Sequence, residues 1–173
     1  GDIAVGAMTI LSSVMQFAML PLQGLAQGAQ PISSYNFGAK NADRVVKTFK
    51  LLLLICMIYS TTLYIVVMTC PQAFVSMFTD KQELIEFTAK AMRRYFAVLF
   101  VFGAQIACQM TFVSTGNAKS SIMVACARKF VLLLPLIYIM PAIMEDKTMA
   151  VYTAEPVADF LAVTFTVVLF TFQ

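Results

Sequence analysis

Three clusters of charge divide this chain into apolar stretches too long for a water-soluble fold to hide. Lys40, Asp43, Arg44, Lys47 and Lys50 form the first, Asp80 to Arg94 holds the second, and Glu145, Asp146 and Lys147 form the third. A helix crosses a hydrocarbon core about 30 Å thick with roughly 20 apolar residues, and the stretches around these clusters reach that length. Lipid offers no partner for backbone polar groups, so a spanning segment must close its own hydrogen bonds as a helix does. Composition agrees, with 60% of 173 residues hydrophobic and a mean hydropathy of +0.82. In water, apolar surface on that scale drives association. The chain reads as all-α, a polytopic membrane helical bundle.

Five spans are expected, at about 3–33, 49–70, 95–114, 120–140 and 149–172. Asp2 can cap the first, and Pro71 closes the second. Residues 72–78 read as a short apolar link, and Thr79-Asp80 as the cap of an interfacial helix over about 80–94. Leu84, Phe87, Ala91 and Tyr95 give that helix its apolar face. Gly116-Asn117 makes the turn into the fourth span, which contains Pro135 and has Pro141 near its end. No soluble domain, linker or short repeat breaks the series. The chain starts without methionine and stops while still apolar, so a fragment of a longer protein is expected.

Lysine and arginine favour cytoplasmic loops. Lys40, Arg44, Lys47, Lys50, Lys119, Arg128 and Lys129 would lie on one side, and Lys81, Lys90, Arg93, Arg94 and Lys147 on the other. That bias places Gly1 outside and the C-terminus inside. The net charge of +3 sits in loops and gives no reason to expect nucleic-acid binding. With no histidine, the chain lacks His-based dyads and histidine metal sites. No nucleophile–base constellation points to an enzyme. Cys56, Cys70, Cys108 and Cys126 show no CxxC spacing and read as apolar filler.

Polar residues inside the spans carry the functional signal. Gln16, Gln23, Gln27, Gln30 and Ser34 are spaced 7, 4, 3 and 4 apart, which keeps them on one helical face. An unpartnered amide in hydrocarbon costs several kcal/mol. The stripe therefore bonds to neighbouring helices or lines a polar cavity. Gly24 and Gly28, four apart, suggest close helix packing, and Pro21 and Pro31 suggest bends. Gln105 and Gln109 repeat the theme in the third span, sharing a face with Phe102 and Phe112. Amides beside aromatic rings suit organic cations or lipophilic molecules. In the fifth span, Glu155 and Asp159 flank Pro156. An intramembrane carboxylate is a functional candidate by default, here for cation or proton coupling, unless Glu155 is simply solvated near the outer interface. Arg128 and Lys129 are expected to snorkel to the cytoplasmic surface; pairing with an acid elsewhere is the alternative.

Several stretches resemble one transporter family. PLQGLAQGAQPISSYNFGAK, from Pro21 to Lys40, is similar to the end of the eighth helix of multidrug and toxic-compound extrusion (MATE) transporters, and a basic loop with Arg44-Val45 follows. FVSTGNAK, from Phe112 to Lys119, resembles the turn between helices ten and eleven. Arg128 and Pro141 fall where helix eleven carries such residues, and EPVADF, from Glu155 to Phe160, resembles the start of helix twelve. The resemblance covers nearly the whole chain. It implies helices eight to twelve of a second six-helix lobe, with the first lobe and the seventh helix as its partners, in the cell membrane. It further implies export of cationic lipophilic compounds in exchange for Na⁺ or H⁺ by alternating access, with no other cofactor. Some branches bind the coupling cation through an acid on helix ten. Here that span offers Gln105 and Gln109 and no acid. Two other readings stand beside it: a flippase for lipid-linked oligosaccharides from the same superfamily, which would need a more cationic cavity, and a non-transporting scaffold, which would pair its amides between helices.

Overall fold

The structure, a computed structural model, describes residues 2–144 and 146–171. Glu145 of the expected acidic loop and Phe172 of the expected last span lie outside the described residues. Short turns aside, the described residues are helical, in the order α1 (Asp2–Gly38), α2 (Ala42–Thr69), α3 (Pro71–Ser76), α4 (Gln82–Tyr95), a 3₁₀ turn (Leu99–Val101), α5 (Phe102–Ser114), α6 (Ala118–Cys126), a π-helical segment (Ala127–Leu133), α7 (Leu134–Ile143) and α8 (Lys147–Thr171). Among the described residues, four helices are individually long and apolar enough to span: α1, α2, the run Lys119–Ile143, and α8. The fifth candidate is a bent pair, with α4 meeting Leu99–Ser114 at 46°. Tyr95 to Val98 take up that bend, so α4 approaches the following span at an angle.

Local sequence explains most boundaries. α1 reaches Gly38 rather than stopping near Ser33, because residues 35–38 stay helical. The turn comes at Lys40, where φ is 57°. The Asn41 amide bonds back to Asn36 O at 2.8 Å and the Lys40 amide to Phe37 O at 3.0 Å. This is a Schellman ending with lysine where glycine is usual. Gly38, the last residue of α1, does not take a left-handed φ. The same pair of bonds closes α5, from Asn117 to Phe112 O and from Gly116 to Val113 O. There the left-handed position falls on Gly116, φ 74°, as expected. The link after Pro71 is itself helical, with Pro71 in the first turn of α3, where its missing N–H costs nothing. α4 begins at Gln82 without a side-chain cap, whereas Asp146 caps α8, its Oδ1 accepting from the amides of Thr148 at 3.1 Å and Met149 at 3.2 Å.

The core lies where α1, α2 and the α4–α5 elbow meet, around Leu11, Leu22, Cys56, Met92, Phe96 and Leu99. Tyr152 ties α8 to it through a 2.7 Å bond from its hydroxyl to Ala4 O. At the other end Phe170 packs on Phe49 of α2 and Phe112 of α5, with ring centroids 4.6 and 5.4 Å away. The small-residue contact is not where the sequence suggested. A Cβ on Gly24 or Gly28 would meet nothing within 4 Å, while one on Gly103 would lie 2.6 Å from Cys56 O. At the same crossing, Ser60 Oγ donates to Phe100 O at 2.9 Å. The α2–α5 contact is thus set by Gly103, and Gly24-xxx-Gly28 faces outward. Gly103→Ala is expected to destabilise the lobe by about 1–3 kcal/mol, the usual cost of overpacking. Gly24→Ala should leave thermal unfolding of the detergent-purified protein unchanged or slightly improved.

Candidate functional site

Two polar features lie within the apolar bundle. The first is a cavity of about 190 Å³ between α1 and α5, lined by Gln23, Ala26, Gln27, Ile106, Gln109, Met110 and Val113. The four-residue spacing of Gln23 and Gln27 puts both amides on one side of α1, and α5 brings Gln109 opposite. No charged group lines this space. Among the described residues, Gln16, Gln23, Gln27, Gln30 and Gln109 form no side-chain hydrogen bond with another helix, unlike Ser60, Arg128 and Tyr152. The amides are therefore not glue within this chain. On α1 the amides flank the buried stripe of Leu22, Ala26 and Ser33, with Gln16, Gln23 and Gln27 exposed.

The other expected cavity residues lie elsewhere. Gln16 is exposed and Gln30 half-buried, both away from the cavity. Phe112 is buried and committed to Phe170. Gln105 is buried, and its Oε1 has no hydrogen-bond partner. Phe102 is buried beneath a cation. One face of α5 thus divides: Gln109 opens to the cavity, and Phe102 and Gln105 turn into the bundle.

The second feature is charged. Arg128 Nε donates to Asp159 Oδ1 at 2.6 Å. The Arg128 guanidinium also sits 5.2 Å from the Phe102 ring centroid, within cation–π range. Asp159 is only 4% exposed, so its charge needs this partner. The expected snorkelling of Arg128 is therefore overturned, since an acid in reach at the same depth is a better partner than a distant interface. Lys129 does remain exposed, with no ion pair among the described residues. Depth could have revealed the pairing. Arg128 lies nine residues into the span Lys119–Ile143 and Asp159 twelve before the end of the antiparallel α8, so both sit near mid-membrane. Glu155, one turn from Asp159 and half-buried, lies beside the Tyr95 hydroxyl, which also faces Ser12. Residues from α1, the α4–α5 elbow, the π segment and α8 thereby meet in one polar cluster.

The π-helical segment Ala127–Leu133 carries Arg128. The widened turn lies directly before Pro135, which has no amide to donate, and the Leu134 amide reaches back five residues to Lys129 O rather than four to Phe130 O. Such turns often occur at functional sites. The sequence signalled a proline in this span but not the register change before it.

The comparisons with known proteins agree with this geometry. The MatE family model matches residues 1–139. The multidrug export protein MepA of Staphylococcus aureus strain N315 is 24% identical over 143 residues, covering 83% of this chain and 31% of MepA. The solved MATE multidrug transporter DinF-BH, in complex with R6G, is 34% identical with a TM-score of 0.87, over 98% of this chain and 37% of that one. A MATE crystal structure in complex with MaL6 shares the fold at a TM-score of 0.91 and 14% identity, over 99% of this chain and 39% of that one. The chain spans about a third of the length of these relatives. With most of its length matched by the family model, this membrane helical bundle belongs to the MatE family.

Proposed function

We propose that this chain forms part of the C-terminal lobe of a cell-membrane antiporter that exports cationic lipophilic compounds in exchange for Na⁺ or H⁺ by alternating access. The observation that carries this reading is the cavity of Gln23, Gln27 and Gln109, uncharged and unbonded to neighbouring helices. Amides left open in lipid are costly, so the face must meet water, substrate or the partner lobe. A neutral, amide-lined and partly apolar space accepts an organic cation without trapping it. The relatives named for multidrug export support the same direction. Glu155 and Asp159 are the proposed coupling acids. An oligosaccharide pyrophosphate flippase is the weaker reading, because its headgroup calls for cationic residues and none lines this cavity.

The test uses the full-length transporter in proteoliposomes and follows efflux of a fluorescent organic cation under an Na⁺ gradient, then an H⁺ gradient. One of the two should drive efflux. Combining Gln23→Leu, Gln27→Leu and Gln109→Leu should weaken apparent substrate affinity by roughly tenfold to a hundredfold, as expected for lost polar contacts. Efflux under neither gradient would overturn the exporter reading and favour the flippase.

A further inference from the structure

We infer that the groove between the α4–α5 elbow and α8 is a binding site for an anionic phospholipid. Its volume is about 640 Å³, and its cationic end is Arg93 and Arg94, with Thr153 nearby. Its remaining wall is apolar, including Val98, Val157, Phe160 and Leu161. Both arginines are exposed, and among the described residues neither forms an ion pair. They close the last turn of an amphipathic helix at the point where the chain bends into its span. Guanidinium pairs are suited to phosphate, which they bind through parallel hydrogen bonds.

The groove has the polarity of a lipid. Along α8 its lining runs from Thr153 to Leu161, about 12 Å of helix rise. Thr153 lies in the second turn of α8, near the same membrane face as the α4 elbow, and Leu161 lies deeper. A phosphate at the arginines would therefore send an acyl chain along Val157, Phe160 and Leu161, towards the membrane centre. A free phosphate would use the arginines and leave the apolar wall empty, and a zwitterionic lipid would bring its own cation against two guanidiniums. Charge complementarity at one end and an apolar channel at the other thus select an anionic phospholipid.

The test uses the delipidated full-length transporter in detergent, titrated with phosphatidylglycerol, phosphatidylethanolamine or glycerophosphate, with bound molecules counted by native mass spectrometry. Phosphatidylglycerol should be retained on the order of thirtyfold better than phosphatidylethanolamine, the factor two basic residues contribute against an anionic headgroup. The double variant R93Q/R94Q should lose that preference and R93K/R94K keep most of it. Val157→Trp, which fills the apolar wall with both arginines intact, should reduce retention. Equal retention of the two lipids, a preference surviving R93Q/R94Q, or glycerophosphate binding as tightly as the lipid would each overturn the assignment.

Discussion

Arg128→Met should destabilise the lobe by about 3–5 kcal/mol, the cost of leaving one member of a buried ion pair unpartnered. The variant keeps an unbranched apolar stem but removes the guanidinium over Phe102 and with it the counter-charge of Asp159, which is 4% exposed. Asp159→Asn should cost less, because the guanidinium that then loses its counter-charge is 24% exposed and partly solvated. The informative variant is the double one. Buried pairs replaced together by neutral groups are often close to wild type, so R128M/D159N should recover most of the loss, giving a coupling energy of several kcal/mol in the double-mutant cycle. Denaturation of the full-length protein in detergent measures all three. Single-variant losses within about 1 kcal/mol would place the pair among solvent-screened ones, contrary to its burial.

The bundle was legible in the sequence because lipid imposes a coarse rule. Long apolar stretches between charge clusters must be helices, and Pro71 and Gly116-Asn117 mark their ends. What the sequence could not supply was the choice of neighbour. Gly24 and Gly28 have the spacing of a packing motif, yet Gly103, a lone glycine, makes the close contact with Cys56. Spacing reports which residues share a face and not what lies against it. The same limit applies to the amides. Periodicity placed Gln23 and Gln27 on one face correctly, but only the crossing of α1 and α5 selects Gln109 to meet them and sends Gln105 inward. Arg128 shows the limit most clearly. Its position allowed both an interfacial and a paired state, and the choice depends on Asp159 lying at matching depth on a helix 31 residues away in sequence. The π turn is a one-residue change of hydrogen-bond register, from Phe130 O to Lys129 O at the Leu134 amide, and composition carries no signal for that choice.

Glu155→Gln should abolish ion-driven efflux while leaving the protein folded and able to bind substrate. Of the two carboxylates in α8, Asp159 is occupied by Arg128, whereas Glu155 forms no ion pair among the described residues and faces the Tyr95 hydroxyl. With Arg128 present and both acids ionised, the three groups carry one net negative charge, and that charge is centred on Glu155. A cation about 4 Å from a unit charge, at an effective dielectric of 20, gains about 4 kcal/mol. Removing the charge should therefore weaken cation binding on the order of a thousandfold. The glutamine keeps the shape and a hydrogen-bonding group for Tyr95, so unfolding should shift far less than in Arg128→Met. Reconstituted efflux under each gradient, with substrate binding measured separately, distinguishes the cases. Lost efflux with retained binding assigns coupling to Glu155, and the gradient that wild type uses names the ion. Undiminished efflux in Glu155→Gln would move the coupling site off this acid, and the neutral pair R128M/D159N then becomes the deciding variant. If that variant folds and still couples, the polar cluster of α8 only holds the lobe together, and the coupling acids belong to other segments of the transporter.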